Sequence, residues 1–168
     1  MVKISLGKAI LLGLSLTSCG NANGVQPVVS VESAANEFTL ALIADANATA
    51  RMESEQRGEP IGKAWKYELL DSKIIAQDMD DDNDQDAVFV VTICEQDSCH
   101  KTSQLNAVAL FENKEDAYSL NWYKSVDFDP VIEKISGAEV TIKSLIYGDN
   151  DPQCCPDTLV RSVLKFRK

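Results

Sequence analysis

An acidic stretch with the sequence QDMDDDNDQDA, residues 77–87, holds six aspartates in eleven residues. Four of these aspartates stand at positions 1, 3, 5 and 9 of a nine-residue loop, namely Asp78, Asp80, Asp82 and Asp86. Calcium takes six to eight oxygen ligands, in which carboxylates are mixed with backbone carbonyls. Alternating carboxylates on a tight loop converge on one point, so this spacing predicts a cation site.

Two further residues complete the pattern of the loop. The backbone carbonyl of Asp84, at position 7, is expected to supply another ligand. Asn83, at position 6, stands where a sharp turn needs a left-handed backbone, for which asparagine is second only to glycine. The stretch resembles the calcium loop of the integrin-type FG-GAP repeat, D-x-[DN]-x-[DN]-G-x-x-D before an apolar strand. An EF-hand fits worse, because its ligating twelfth position would fall on Phe89 or Val91.

The predicted ligand of this loop is weakly bound Ca²⁺, since calcium outside the cytoplasm is near millimolar. Magnesium and a bare, solvated acidic loop are the alternatives. A catalytic pair of carboxylates needs one desolvated member, whereas six aspartates in an open loop are expected to stay wet and ionised. The sequence therefore favours binding over acid–base catalysis, and no organic cofactor is predicted.

The N-terminus has the pattern of an exported, lipid-anchored protein. Lys3 and Lys8 lead into an apolar run, residues 9–16, that is too short to span a bilayer. The tetrad Leu-Thr-Ser-Cys that ends at Cys19 resembles the lipobox of bacterial lipoproteins. The resemblance implies cleavage before Cys19, diacylglycerol on its thiol and fatty acylation, as by palmitate, of the new amine. The alternative is an ordinary secretory signal that happens to contain a cysteine.

The predicted location of the mature protein is the cell envelope. Aspartate after the lipidated cysteine favours inner-membrane retention in Gram-negative lipoproteins, so Gly20 predicts the outer membrane, facing the periplasm. Cleavage before Cys19 removes two lysines and no acid, which takes the net charge from −10 to −12. So acidic a chain is not expected to bind nucleic acid. Its predicted partners are the membrane, through the acyl chains, and an unknown envelope protein.

Four cysteines remain in the predicted mature domain: Cys94, Cys99, Cys154 and Cys155. An even number in an exported chain indicates disulfides, and four cysteines allow three pairings. A turn in the EQDS segment can bring Cys94 and Cys99 within disulfide range. We favour that bond together with one between the adjacent Cys154 and Cys155. Cross-links between the two segments, or zinc held by three thiolates and His100, are the alternatives.

The chain divides into a signal peptide (1–18), a lipidated tether (19–31) and a single α+β domain (32–168). Ser30 or Ser33 is expected to cap one amphipathic helix, about Glu32 to Met52, that packs on a sheet. The helix is followed by about seven strands in a mostly antiparallel sheet. The predicted strands are 65–70, 87–94, 105–111, 118–123, 131–135, 140–147 and 158–166, with a separate short apolar segment at 73–76.

For two of these strands the sequence also predicts which faces are buried. The first should alternate, with Trp65, Tyr67 and Leu69 facing the core. The strand over 87–94 has no polar alternation, so both of its faces should be covered and it should lie at the centre.

The segment GDNDPQCCPDTLVRSVLKF, residues 148–166, resembles the N-D-P-x-C-C-P motif and terminal strand of uncharacterised exported bacterial lipoproteins of the LppP/LprE type. The positions that match the motif are Asn150, Asp151, Pro152, Cys154, Cys155 and Pro156. This resemblance implies a small exported α+β domain with no established activity. It also supports treating the double cysteine as a self-contained unit.

These features predict a non-enzymatic envelope lipoprotein, a binding or structural module with a calcium loop. An acidic periplasmic inhibitor of a basic hydrolase such as lysozyme is one alternative, since opposite charges attract. A hydrolase whose site the sequence does not reveal is the other. His100 is the only histidine of the chain, and no nucleophile stands in a recognisable motif.

We expect Cys19→Ser to abolish acylation and leave the protein soluble or uncleaved, because the lipobox chemistry requires a thiol. Gly20→Asp is the matched control, which should keep the lipid but favour the inner membrane. Mass spectrometry of the mature protein checks both variants. A free thiol at Cys19 in the mature wild-type protein would contradict the prediction.

Overall fold

The structure is a computed structural model that describes residues 29–60, 66–149, 151–152 and 155–166. In these residues one helix, α1 (Val31–Gln56), precedes seven strands. The strands are β1 (Tyr67–Gln77), β2 (Asp86–Glu95), β3 (Gln104–Lys114), β4 (Ala117–Val126), β5 (Phe128–Ser136), β6 (Glu139–Ile146) and β7 (Thr158–Lys165). The arrangement confirms the predicted α+β class with an N-terminal helix and antiparallel strands.

The strands form two sheets rather than one. The first has the order β1-β2-β3-β4 and the second β5-β6-β7, with antiparallel pairing throughout. Helix α1 covers one face of the four-stranded sheet, and the three-stranded sheet covers the other. The fold is therefore three layers with two apolar interfaces.

Helix α1 packs through small side chains around one aromatic ring. Ser30 caps the helix as expected, accepting a hydrogen bond from the Ser33 amide at 3.2 Å. Buried alanines along the helix let it lie close to the sheet. Between them Phe38 meets the rings of Phe89 and Phe111 edge-on, each with centroids 6.2 Å apart. The prediction of a helix packed on a sheet is confirmed.

Strand β2 is buried on both faces, as its continuous apolar sequence predicted. Phe89 and Val91 face the helix, and Val88 faces the three-stranded sheet. Val88 and Val91 are wholly inaccessible to solvent. Val140 and Ile142, which lie on the inner face of β6, close the second core against β2 and β3. The two cores therefore share β2 as their common wall.

The first strand departs from its prediction. Strand β1 runs unbroken from Tyr67 to Gln77, so the separate segment at 73–76 does not exist. A bulge between Leu69 and Asp71 interrupts the pairing with β2, and Leu69 is 49% exposed although it was expected to face the core. A bulge breaks the period of two, and β1 is an edge strand open to solvent. Trp65 lies outside the described residues.

The end of β2 that is remote from the acidic loop is closed by a disulfide between Cys94 and Cys99, with α-carbons 5.5 Å apart. This bond confirms the predicted pairing and removes two of the thiolates that the zinc alternative needs. Cys94 is buried and Cys99 is exposed. Cys154 lies outside the described residues, so its bond to Cys155 stays a prediction.

Replacing both members of the disulfide, as Cys94→Ser with Cys99→Ser, should lower the free energy of unfolding by about 2 kcal/mol, because the loop that it closes is short. Urea denaturation of the oxidised wild-type and variant proteins measures the difference. Added reductant should leave the variant's stability much less changed than that of the wild type. A peptide that links Cys94 to Cys154 or to Cys155 would contradict this pairing.

Candidate metal site

The acidic stretch forms the loop of the β1–β2 hairpin. Gln77 and Asp86 are the last paired residues of the two strands, and residues 78–85 connect them. Met79 points into the core between the sheets and is only 1% exposed. This buried side chain pins the start of the loop to the body of the protein.

The loop brings together the carboxylates of Asp78, Asp80 and Asp86, whose ligating oxygens all lie within 4.8 Å of one another. Two oxygens bound to one Ca²⁺ at 2.3–2.6 Å can be at most about 5 Å apart. One ion can therefore contact all three carboxylates. These are positions 1, 3 and 9 of the loop as the sequence numbers it.

Asp86 is the fully buried member of the cluster. Its side chain is fully buried, so the expectation that all six aspartates stay solvated is wrong at this position. One oxygen accepts the amide hydrogen of Met79 at 2.9 Å, and the other accepts that of Asn113 at 3.0 Å. Burial raises the pKa of Asp86, and the two amides oppose that rise while the charges of Asp80 and Asp82 add to it. Two donated hydrogen bonds fix this carboxylate as an acceptor.

Asp78 shapes the turn. One of its oxygens accepts the Asp81 amide hydrogen at 2.8 Å, and the other accepts that of Asn83 at 3.1 Å. Asp81 and Asn83 have positive φ angles of 67° and 73°. The left-handed conformation predicted for Asn83 is confirmed, whereas that of Asp81 was not foreseen.

Asp80 is the third member of the cluster. Burial raises its pKa first, and the charges of Asp82 and Asp78 raise it further, against the opposing effect of a backbone hydrogen bond from Asp82. The neighbouring charges of Asp82 and Asp78 therefore disfavour the ionisation of Asp80. A bound divalent cation would offset that repulsion.

The two remaining predicted ligands are not among the three carboxylates whose oxygens converge, although Asp82 is hydrogen-bonded to Asp80. Asp82 is exposed, and one of its oxygens accepts the Asp84 amide hydrogen at 2.9 Å. Its charge nevertheless reaches the cluster, since it raises the pKa values of Asp80 and Asp86. Asp84 is half-buried, and its part as a carbonyl ligand stays a prediction.

The loop is also held by residues that the sequence analysis missed. The amide of Asn113, at the end of β3, donates to Asp86, and the Tyr118 hydroxyl of β4 donates to the Gln85 carbonyl at 2.7 Å. These contacts depend on the pairing of β2, β3 and β4. No spacing in the sequence signals them.

Lys114 brings a positive charge near the cluster. Its ammonium pairs with Glu112 at 3.0 Å, and that hydrogen bond is the main reason why the pKa of Lys114 is raised. The charges of Asp80 and Asp82 raise it further. The charge of Lys114 is therefore close enough to interact with those of Asp80 and Asp82.

Asp151, an aspartate of the double-cysteine motif, bonds to residues on both sides of the two cysteines. One oxygen of Asp151 accepts the amide hydrogens of Gly148 at 2.8 Å and Asp157 at 3.0 Å, which ties together the two ends of the segment. These bonds lower the pKa of Asp151. Cys155 is exposed at the surface, and Asn150 and Cys154 lie outside the described residues. The motif aspartate therefore links Gly148 to Asp157.

Comparisons of the chain with models of protein families, with curated proteins and with solved structures found no match. The resemblances to the FG-GAP loop and to the LppP/LprE lipoproteins therefore stay predictions. In the part of the chain that the structure describes, no helix is both long enough and apolar enough to cross a membrane.

We expect Ca²⁺ to raise the melting temperature of the protein, and Asp80→Asn to remove most of that rise. A ligand that binds only the folded loop stabilises it by about 1.4 kcal/mol at ten times its Kd. Asp81→Asn is the matched control: it removes the same charge from a neighbouring exposed residue and keeps a residue that tolerates positive φ. Thermal melts in calcium and in chelator measure the effect.

Added NaCl at matched ionic strength separates binding from charge screening. Equal loss of the calcium response in the two variants would mean that only net charge matters. The absence of heat on titration with millimolar Ca²⁺ would leave the aspartates as a solvated loop.

Proposed function

We propose that this protein is a non-enzymatic lipoprotein of the bacterial cell envelope, a domain stiffened by calcium and a disulfide that binds another envelope component. The observation that carries the proposal is the convergence of Asp78, Asp80 and Asp86 at the tip of the β1–β2 hairpin. Carboxylates are the donors that Ca²⁺ prefers, and this loop brings three of them together.

The two ends of β2 support the proposed location. The carboxylate cluster lies at its beginning, and the Cys94–Cys99 bond lies at its end. Disulfides persist in oxidising compartments, and a weak calcium site suits the millimolar calcium outside the cytoplasm. Both features favour an extracytoplasmic protein, as does the lipobox-like tetrad that ends at Cys19.

Binding is favoured over hydrolysis by the contacts of the buried carboxylate. Both oxygens of Asp86 already accept backbone hydrogen bonds, which oppose the rise in its pKa that burial causes and occupy the carboxylate as a structural acceptor. His100 is exposed, and its own amide donates to the Ser103 hydroxyl at 2.9 Å. Through this backbone hydrogen bond, His100 helps to fix the conformation of the loop after Cys99.

An inhibitor of a basic hydrolase is the second candidate, and the charge of α1 favours it. The helix carries five carboxylates and one guanidinium, and none of these residues is buried. A basic enzyme would be drawn to such a surface over a distance of about a Debye length.

Photo-crosslinking in intact cells followed by purification of the protein tests the proposal. Wild-type and Asp81→Asn proteins should capture the same envelope component in calcium, whereas Asp80→Asn or added chelator should reduce that capture. Capture that does not depend on calcium would show that the loop is not part of the surface that binds the partner. Stoichiometric inhibition of lysozyme by the pure protein would replace the proposal with the second candidate.

A further inference from the structure

The outer face of the three-stranded sheet, the side turned away from the four-stranded sheet, combines cations with exposed valines. In one cross-strand row Val131, Lys143 and Arg161 lie side by side, and the next row includes Lys134 and Val163. These five residues and Lys165 of β7 are called the basic face below.

The valines of the basic face meet solvent directly, since Val131 is 58% exposed and Val163 is 55% exposed. Leu159, at its margin, is 44% exposed. Apolar side chains set between lysines and an arginine are the composition of surfaces that rest on membranes, where methyl groups enter the headgroup layer and cations meet phosphates.

The basic face keeps a net positive charge after its ion pairs are counted. Arg161 donates two hydrogen bonds to Glu133, at 2.7 and 3.0 Å, and Lys165 pairs with Glu139 at 2.8 Å. Lys143 and Lys134 add to these pairs, helping to lower the pKa values of Glu133 and Glu139 respectively after the hydrogen-bonded partners. Four cations therefore stand against two carboxylates on a chain whose net charge is −10.

The helix on the opposite side of the fold has a charge of the opposite sign. Helix α1 lies on the far side of the three layers and carries five carboxylates and one guanidinium. An anionic surface therefore attracts one side of the protein and repels the other, which sets an orientation as well as an affinity.

We propose that the basic face docks on an anionic lipid surface and holds the domain in one orientation on the membrane. The inference rests on the proposed envelope location and adds a second membrane contact to the acyl chains. Val29 accepts a hydrogen bond from the Tyr118 amide of β4, in the middle layer of the fold. The ten Cα-to-Cα steps from Cys19 to Val29 span at most about 35 Å, which is enough to let the next layer meet the lipid.

The test is lysine footprinting of the protein as purified from cells, held on vesicles of phosphatidylcholine with or without phosphatidylglycerol. Lys134, Lys143 and Lys165 should be acetylated at least threefold more slowly on the anionic vesicles. Lys73 and Lys124, which are exposed on the four-stranded sheet, are internal controls whose rates should not change. Mass spectrometry measures the acetylation of each lysine and, separately, the acylation of Cys19.

A pair of double variants gives the matched control. Lys134→Glu with Lys143→Glu should remove the protection of Lys165, whereas Lys73→Glu with Lys124→Glu, which changes the net charge equally, should leave it. Melting curves for both show whether each variant is folded. High salt should abolish the protection, because the Debye length shrinks to about 3 Å at 1 M.

Four outcomes would overturn the inference: no protection, equal protection on uncharged vesicles, equal protection of Lys73 and Lys124, or protection of the face without vesicles, which would mean self-association. An unacylated Cys19 would instead contradict the proposed anchor alone. In that case co-sedimentation of the unanchored protein with vesicles still tests whether the basic face binds anionic lipid. The fraction bound is expected to be about tenfold higher with the anionic vesicles than with the uncharged ones.

Discussion

The burial of β2 on both faces is the constraint on which the rest of the structure depends. A strand with Phe89 and Val91 on one side and Val88 on the other cannot face water on either side. Helix α1 covers the first side, and the three-stranded sheet covers the second. The positions of both follow from the need to remove one apolar strand from water, which is the main favourable term in folding.

The carboxylate cluster and the disulfide lie at the two ends of the same strand. Asp86 begins β2 and is drawn into the interior with it, where its two backbone hydrogen bonds offset part of the cost of burial. Asp78 and Asp80 are then held beside a buried carboxylate, and repulsion among the three is the property that a divalent cation would relieve. At the other end Cys94 is buried and bonded to the exposed Cys99, which closes the connection to β3.

The sequence predicted the features that depend on local order. The apolar run from Ala87 to Cys94 predicted the central strand, and Ser30 was one of the two serines predicted to cap the helix. The spacing of Asp78, Asp80 and Asp86 was enough to propose that they meet, and the short EQDS segment predicted the disulfide.

Features that depend on strand pairing were not predictable in this way. The burial of Asp86 and the donation from Asn113 both require the register of β2 against β3. The division into two sheets was missed because antiparallel strands show the same alternation in either arrangement. The bulge after Leu69 was missed because one inserted residue leaves no mark in composition.

A high-resolution crystal structure of the protein grown in millimolar calcium is the most direct test of the calcium site. We expect one ion bound to an oxygen of each of Asp78, Asp80 and Asp86, at 2.3–2.6 Å, with further oxygens completing six to eight ligands. Only water among these carboxylates, or the Lys114 ammonium in the place of the ion, would contradict it.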